Sequence, residues 1–193
     1  MEALPTWEKS MESKKDIRKR VLTIRENLTH KEWEEKSHQI YAKVISHPFF
    51  LQANTIFCYI DYRREVATRA IIEHAWKAGK KVAVPKVVGD EMHFCEIKSF
   101  EELEYGYKGI QEPKSQISAN DDEALVIMPG AVFDISCHRI GYGKGYYDKY
   151  LHVHPKHKTI GIAFELQMLE KVPSEEYDIC PDFIITEEKT YER

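Results

Sequence analysis

Six short apolar runs constrain this chain more than any other feature: TIFCYI (55–60), KVAVP (81–85), MHFCEI (92–97), ALVIMP (124–129), KTIGIAF (158–164) and DFIITE (182–187). Each has the length of a strand and is mostly β-branched or aromatic. Several lack the polar–apolar alternation of a sheet with one wet face. Strands buried on both faces read this way, and they belong to parallel sheets covered by helices. Between the first two runs lies VATRAIIEHAWKAGK (66–80), which reads as a helix that starts near Thr68 and ends at Gly79. Strand, helix and strand at this spacing make a crossover unit, normally right-handed.

The N-terminal part has a different period. ESKKDIRKRVLTIREN (12–27) sets Ile17, Val21, Leu22 and Ile24 near a helical repeat, with basic residues elsewhere. LTHKEWEEKSHQIYAKVISH (28–47) reads as a second helix, with Thr29 and Glu32 at capping-box spacing and Pro48 as its stop. YYDKYL (146–151) reads as helical as well. Residues 98–123 are polar, carry Gly106, Gly109 and Pro113, and predict a short helix with a long surface loop. The chain has 193 residues, no internal repeat and no clear linker. Residues 1–193 are therefore expected to form one α/β domain, a mixed and largely parallel sheet between helices in three layers.

Charge and cysteine usage narrow the function classes. A net charge of −4 provides no global field for collecting nucleic acid. No apolar run approaches the roughly 18 residues that span a bilayer, and MEALPTWEKSMESKK is too charged for a signal peptide core. Cys58, Cys95, Cys137 and Cys180 form no C-x-x-C pair, which fits reduced thiols and a cytoplasmic protein. Neither a membrane nor a nucleic acid is an expected partner.

The segment with most chemistry is RIGYGKGYYDKYL (139–151), which follows a buried strand and Pro129-Gly130. Ligands of open α/β sheets sit beyond the carboxyl ends of strands, where such loops emerge. Gly141, Gly143 and Gly145 can present backbone N–H groups as an anion nest at a helix N-terminus, and Arg139 and Lys144 add full charges. The pattern is neither of the two standard nucleotide fingerprints, and a glycine-rich turn between strand and helix is the plainer alternative. Asp134 and Asp148 flank the loop. A carboxylate beside a phosphate nest makes sense if Mg²⁺ lies between them; Asp148 also suits the first turn of a helix. HVHPKH (152–157) offers three imidazoles, but no acid or cysteine completes a zinc set. Cys137-His138 are adjacent in sequence, which is not the geometry a thiol nucleophile requires.

MPGAVFD followed by RIGYGKGYYDKYL resembles the signature of the 5-formyltetrahydrofolate cyclo-ligase family, also called 5,10-methenyltetrahydrofolate synthetases. KKDIRKRVLTIR, YIDYRREVATRAII and VPSEEYDICPDFIITE resemble other segments of that family, so the likeness covers most of the chain. The resemblance implies ATP-dependent ring closure of 5-formyltetrahydrofolate, with ADP and phosphate released. It places ATP at Lys14, Arg18, Arg139, Gly141, Gly143, Lys144, Gly145 and Tyr147. It places the folate at Ile60, Glu65, Tyr142, Lys144 and Tyr146, and Mg²⁺ at Asp148 and Asp178. Lys144, Arg139 and Tyr146 would carry the chemistry. Family members often have Arg where this chain has Tyr142. Lys14 and Arg18 are four apart and can share one helical face, though a solvated basic face would look the same. Met92, Phe94 and Tyr107 are candidates for a flat wall, and at strand spacing such residues are usually core. Partners are expected to be the two small substrates, with the chain a monomer or weak homodimer. A non-catalytic nucleotide or RNA-binding module, or another α/β enzyme that needs no ATP, are the competing classes.

Overall fold

The computed structural model describes residues 12–106 and 109–193; Tyr107 lies outside them. Helix α1 (Lys14–Glu26) starts at Ser13, whose hydroxyl accepts the Asp16 N–H. Helix α2 (His30–Ser46) starts with the expected capping box of Thr29 and Glu32. Pro48 does end α2, and it also opens a short helix α3 (Pro48–Gln52), where a missing N–H costs nothing.

The remaining chain builds a seven-stranded sheet. Its parallel strands are β1 (Thr55–Cys58), β2 (Lys81–Val88), β6 (Leu125–Met128), β9 (Lys158–Ile162) and β11 (Phe183–Ile185). They lie side by side in the order β2-β1-β6-β9-β11. An antiparallel strand closes each edge: β3 (Glu91–Glu96) beside β2, and β12 (Thr190–Glu192) beside β11. The mixed, largely parallel α/β sheet expected from the apolar runs is therefore present.

Strand pleating explains the continuous runs. Ile56 and Cys58 of β1, with Leu125 and Ile127 of β6, face the cluster covered by α2, α3 and helix α4 (Arg69–Lys77). Phe57, Val126 and Met128 face the opposite cluster, covered by helix α5 (Tyr146–Val153) through Leu151, Tyr147 and Tyr150. Both faces of each strand are dry, so no polar alternation survives. Each such fully buried Ile, Leu or Phe contributes about 1.5–3 kcal/mol. Met92 and Phe94 belong to this second core; Phe94 stacks on Phe57 with centroids 4.6 Å apart.

Two expectations change in detail. Helix α4 begins next to Thr68, as expected, but the Thr68 hydroxyl does not cap it. That hydroxyl instead donates to Asp61 Oδ1 at 3.0 Å and accepts the Asp61 N–H at 3.2 Å. Residues 98–123 are more ordered than a loop: a 3-10 turn (Phe100–Glu102) precedes a hairpin of β4 (Leu103–Tyr105) and β5 (Gln111–Pro113). The segment after Pro129-Gly130 forms a further small sheet. Strands β7 (Val132–Asp134) and β8 (Arg139–Ile140) pair antiparallel, and β10 (Met168–Leu169) joins β7 in parallel.

Candidate active site

The chain steps from β1 outward to β2 and then returns across β1 to β6, so β1 and β6 mark the switch point of the sheet. In open α/β sheets the crevice beyond the carboxyl ends of such strands is where ligands bind. Here four segments converge on it: residues 59–65 after β1, Pro129-Gly130 after β6, the loop 141–145 with the start of α5, and helix α1.

Gly143 (φ 98°) and Gly145 (φ 66°) take left-handed backbone values that side chains rarely adopt. Gly145 stands at the α5 N-terminus, where no side chain caps the helix. The first N–H groups of α5 therefore have no intrahelical partner, and the helix dipole adds positive character. Lys144, at the exposed tip, makes no ion pair with the described residues. Helix α1 braces the loop: Arg18 Nε donates to the Gly141 carbonyl at 2.7 Å.

Two carboxylates of the loop's far side are matched by cations. Arg139, 6% exposed, donates from Nη2 to Asp148 Oδ1 at 2.8 Å, while Lys14 Nζ donates to Asp178 Oδ2 at 2.6 Å. Asp148 Oδ1 also accepts the N–H of Ile179, the residue after Asp178, at 3.0 Å. Burial alone would raise the Asp178 carboxyl. Hydrogen bonds from Lys14 and the Glu175 N–H, with the charges of Lys14 and Arg139, outweigh that and hold it below the usual range.

At the other end of the crevice, Glu65 is buried rather than an ordinary surface charge. Its Oε1 accepts the Tyr142 hydroxyl and its Oε2 the Tyr62 N–H at 2.9 Å. Arg25 Nη1 donates to that same Tyr142 hydroxyl at 2.8 Å. Burial pushes Glu65 up, against the Tyr142 hydroxyl, the Arg25 charge and the Tyr62 N–H, which pull it down. The Tyr142 ring is 45% exposed, yet its hydroxyl points inward and burial, with Glu65 beside it, pushes it far up. The Tyr147 hydroxyl is buried with no hydrogen-bond partner and feels the charges of Glu65 and Arg139. An orphaned buried hydroxyl aimed into such a crevice is a group that a ligand can satisfy.

The structure thus brings Lys14, Arg18, Glu65, Arg139, Gly141, Tyr142, Gly143, Lys144, Gly145, Tyr147, Asp148 and Asp178 around one crevice. Tyr146 is half-buried and packs on the Phe57 cluster, whereas Ile60 is 6% exposed in the core cluster on the other face of the sheet. Asp134 is not part of a metal pair. It is 1% exposed and accepts the N–H groups of Ser136, His138 and Val172, with the His138 ring at 3.0 Å. Cys137 is buried and its thiol is pushed up to about 11, mainly by burial, so it is no activated nucleophile. His157 binds the Ala124 carbonyl at 2.9 Å, as a core histidine does.

The donor chemistry at Asp148 and Asp178 fits Mg²⁺, which takes hard oxygens and often only one or two carboxylates. Among the described residues no three or more His, Cys, Asp or Glu gather at one point. A metal held here would complete its shell with oxygens from outside the chain.

Sequence reasoning missed Arg25. It reads as one more cation in a basic helix, but it is spaced four residues from Val21, which is itself four from Ile17. These three are the buried residues of α1. A charge in phase with an apolar stripe was the available signal.

Fold and crevice together define a doubly wound α/β protein with a glycine-rich loop and an uncapped helix N-terminus at its switch point. The profile of the 5-formyltetrahydrofolate cyclo-ligase family matches residues 10–187, and the chain belongs to that family of enzymes. The 5-formyltetrahydrofolate cyclo-ligase of Escherichia coli K12 is 30% identical over 179 residues, covering 87% of this chain and 97% of the relative. The mouse enzyme of the same name is 29% identical, over 76% of this chain and 79% of its own. Among solved structures, the 5,10-methenyltetrahydrofolate synthetase of Aquifex aeolicus superposes with a TM-score of 0.82 at 30% identity, covering 93% of this chain and 92% of the other. The synthetase of Mycoplasma pneumoniae does so with a TM-score of 0.72 at 25% identity, covering 91% and 99%.

Proposed function

We propose that this chain closes 5-formyltetrahydrofolate to 5,10-methenyltetrahydrofolate at the expense of ATP. A formyl oxygen is a poor leaving group. In the proposed sequence that oxygen attacks the γ-phosphorus, releasing ADP and leaving an imidate-like phosphate. N10 then adds to the activated carbon, and the C–O bond breaks to expel phosphate. The work asked of the protein is positioning and neutralisation of charge.

The observation that carries the reading is the convergence of two unlike recognition ends on one crevice: the glycine loop with Lys144 and Arg139, and the buried carboxylate of Glu65. Lys14, Arg18 and the loop would hold the phosphates. A carboxylate such as Glu65 accepts N–H groups of a pterin ring. Tyr142 and Tyr146 would lie against the folate. Mg²⁺ at Asp148 and Asp178 would neutralise phosphate charge. The chain would act in the cytoplasm as a monomer or weak homodimer, on two small molecules.

The test is an absorbance assay with 5-formyltetrahydrofolate, Mg²⁺ and ATP. A near-ultraviolet methenyl band that grows only with ATP is the expected result. No band from folded protein that binds ATP overturns the assignment.

A further inference from the structure

Helix α1 meets the crevice at three points along one side. Lys14 reaches Asp178, Arg18 the loop carbonyl of Gly141, and Arg25 the Tyr142 hydroxyl. The first two belong to the phosphate end. Arg25 belongs to the Glu65 end, and nothing in the proposed reaction has yet used it.

Its surroundings are unusual for an arginine. It is 2% exposed, and its Nε is buried without a partner. Its Nη2 donates at 3.0 Å to the carbonyl of Arg63. That carbonyl lies in the turn 62–65, where Arg63 (φ 45°) and Arg64 (φ 57°) both hold left-handed backbone values. A non-glycine residue there costs on the order of 1 kcal/mol, so the turn needs outside support. Burying a guanidinium is itself costly unless the charge is matched. The matching charge is Glu65, reached through one hydroxyl.

The direction of that relay is fixed by donor counting. The Tyr142 hydroxyl accepts from Arg25 Nη1, so its single proton goes to Glu65 Oε1. Glu65 Oε2 accepts the Tyr62 N–H. Both oxygens are thereby set as acceptors, with lone pairs left for further N–H donors. A protonated Glu65 would present an O–H instead, the wrong polarity for such a partner.

We infer that Arg25 is a positioning residue for the folate end of the site, holding Glu65 as an ionised acceptor by way of Tyr142 and fixing the turn that carries it. This rests on the proposed reading of Glu65 as the pterin-binding group. The other titratable groups facing Glu65 are Asp61, Tyr59 and Tyr147. Asp61 and burial both favour the neutral acid, and Arg25 is the formal positive charge that opposes them.

The experiment is steady-state kinetics of Arg25→Met, Arg25→Lys and Tyr142→Phe against the parent. Arg25→Met should raise KM for the folate about ten- to a hundredfold, the worth of a hydrogen bond to a charged group, and leave KM for ATP within about twofold. The acidic limb of kcat/KM for the folate should move to higher pH, since Glu65 then protonates more readily. Arg25→Lys should recover part of both effects. Tyr142→Phe, which keeps the ring, should reproduce the change in KM without adding to that of Arg25→Met. Should Arg25→Met fail to fold, Arg25→Lys and Tyr142→Phe carry the same comparison. An unmoved acidic limb with an unchanged folate KM in these variants overturns the role of Arg25 alone. A parent protein that makes no methenyl product overturns the functional reading beneath it.

Discussion

The two ends of the parallel sheet contrast in how their polar groups are matched. At the amino end lie two adjoining cavities of about 220 and 120 Å³, with Thr55, Lys81 and Glu96 around one and His93, Asp122 and His154 around the other. At the carboxyl end the crevice is crossed by its own side-chain pairs: Lys14 on Asp178, Arg139 on Asp148, and Tyr142 on Glu65. The orphaned buried atoms among the described residues, Arg25 Nε, Arg139 Nε and the Tyr147 hydroxyl, all belong to the carboxyl end. Unmatched buried polar atoms are therefore concentrated at the carboxyl end. A site made for a charged ligand can be crossed by its own counter-charges, and unmatched buried polar groups then help to locate it.

Variants at the two ends would break or sharpen that contrast. The largest effect is expected at Lys144, which is exposed and unpaired among the described residues, so that Lys144→Ala should cost turnover about a hundredfold or more while leaving the melting temperature unchanged. Turnover near that of the parent would remove Lys144 from the chemistry. Glu65→Gln keeps the shape but halves the acceptor capacity, and should raise KM for the folate about tenfold with KM for ATP unmoved. A change confined to ATP would swap the two ends of the crevice.

Asp148→Asn should act on stability and on metal together. It leaves the buried Arg139 without its ion pair, at a cost of about 2 kcal/mol in urea unfolding, and should weaken the Mg²⁺ dependence of turnover. An unchanged Mg²⁺ titration would leave Asp148 as the partner of Arg139 only.

A smaller effect concerns pH. The folded-state value of Glu65 is raised above 4.5, so the stability it contributes is present at low pH and is lost as pH rises through that folded value. Asp178 runs the other way: its value lies below 3.8, and its contribution is lost only as pH falls through the lowered value. Glu65→Gln should therefore gain on the parent protein as pH rises from 4.5, as read by urea unfolding. A constant difference over that rise would contradict the direction given for Glu65. The smallest effect is expected at the amino end: Lys81→Ala, beside the larger cavity, should change stability by less than about 0.5 kcal/mol and turnover not at all. A marked loss of turnover would give that cavity a role.

Much of this was legible before any coordinates. Parallel strands buried on both faces leave uninterrupted apolar runs, which is why β1, β6 and β9 stood out as TIFCYI, ALVIMP and KTIGIAF. The hairpin Leu103–Tyr105 and Gln111–Pro113 did not, because LEY and QEP are three residues each, mostly polar, and carry no period. At the site, the glycine loop announced itself through residue types that few other conformations need. The pairing of Glu65 with Tyr142 and Arg25 was not legible, since it joins positions 77 and 117 residues apart through a hydroxyl. Residue type reveals what a group can do; only folding shows which groups meet.

The bond between Lys14 and Asp178 spans 164 positions of the chain. A growing polypeptide makes α1 long before Asp178, and Lys14 must wait for 164 further residues to find this partner. Closing so long a loop costs entropy that only the assembled sheet can offset. The crevice is thus a late product of synthesis. A chain released early, even one long enough to hold the glycine loop, would leave Lys14 and that end of the crevice without Asp178.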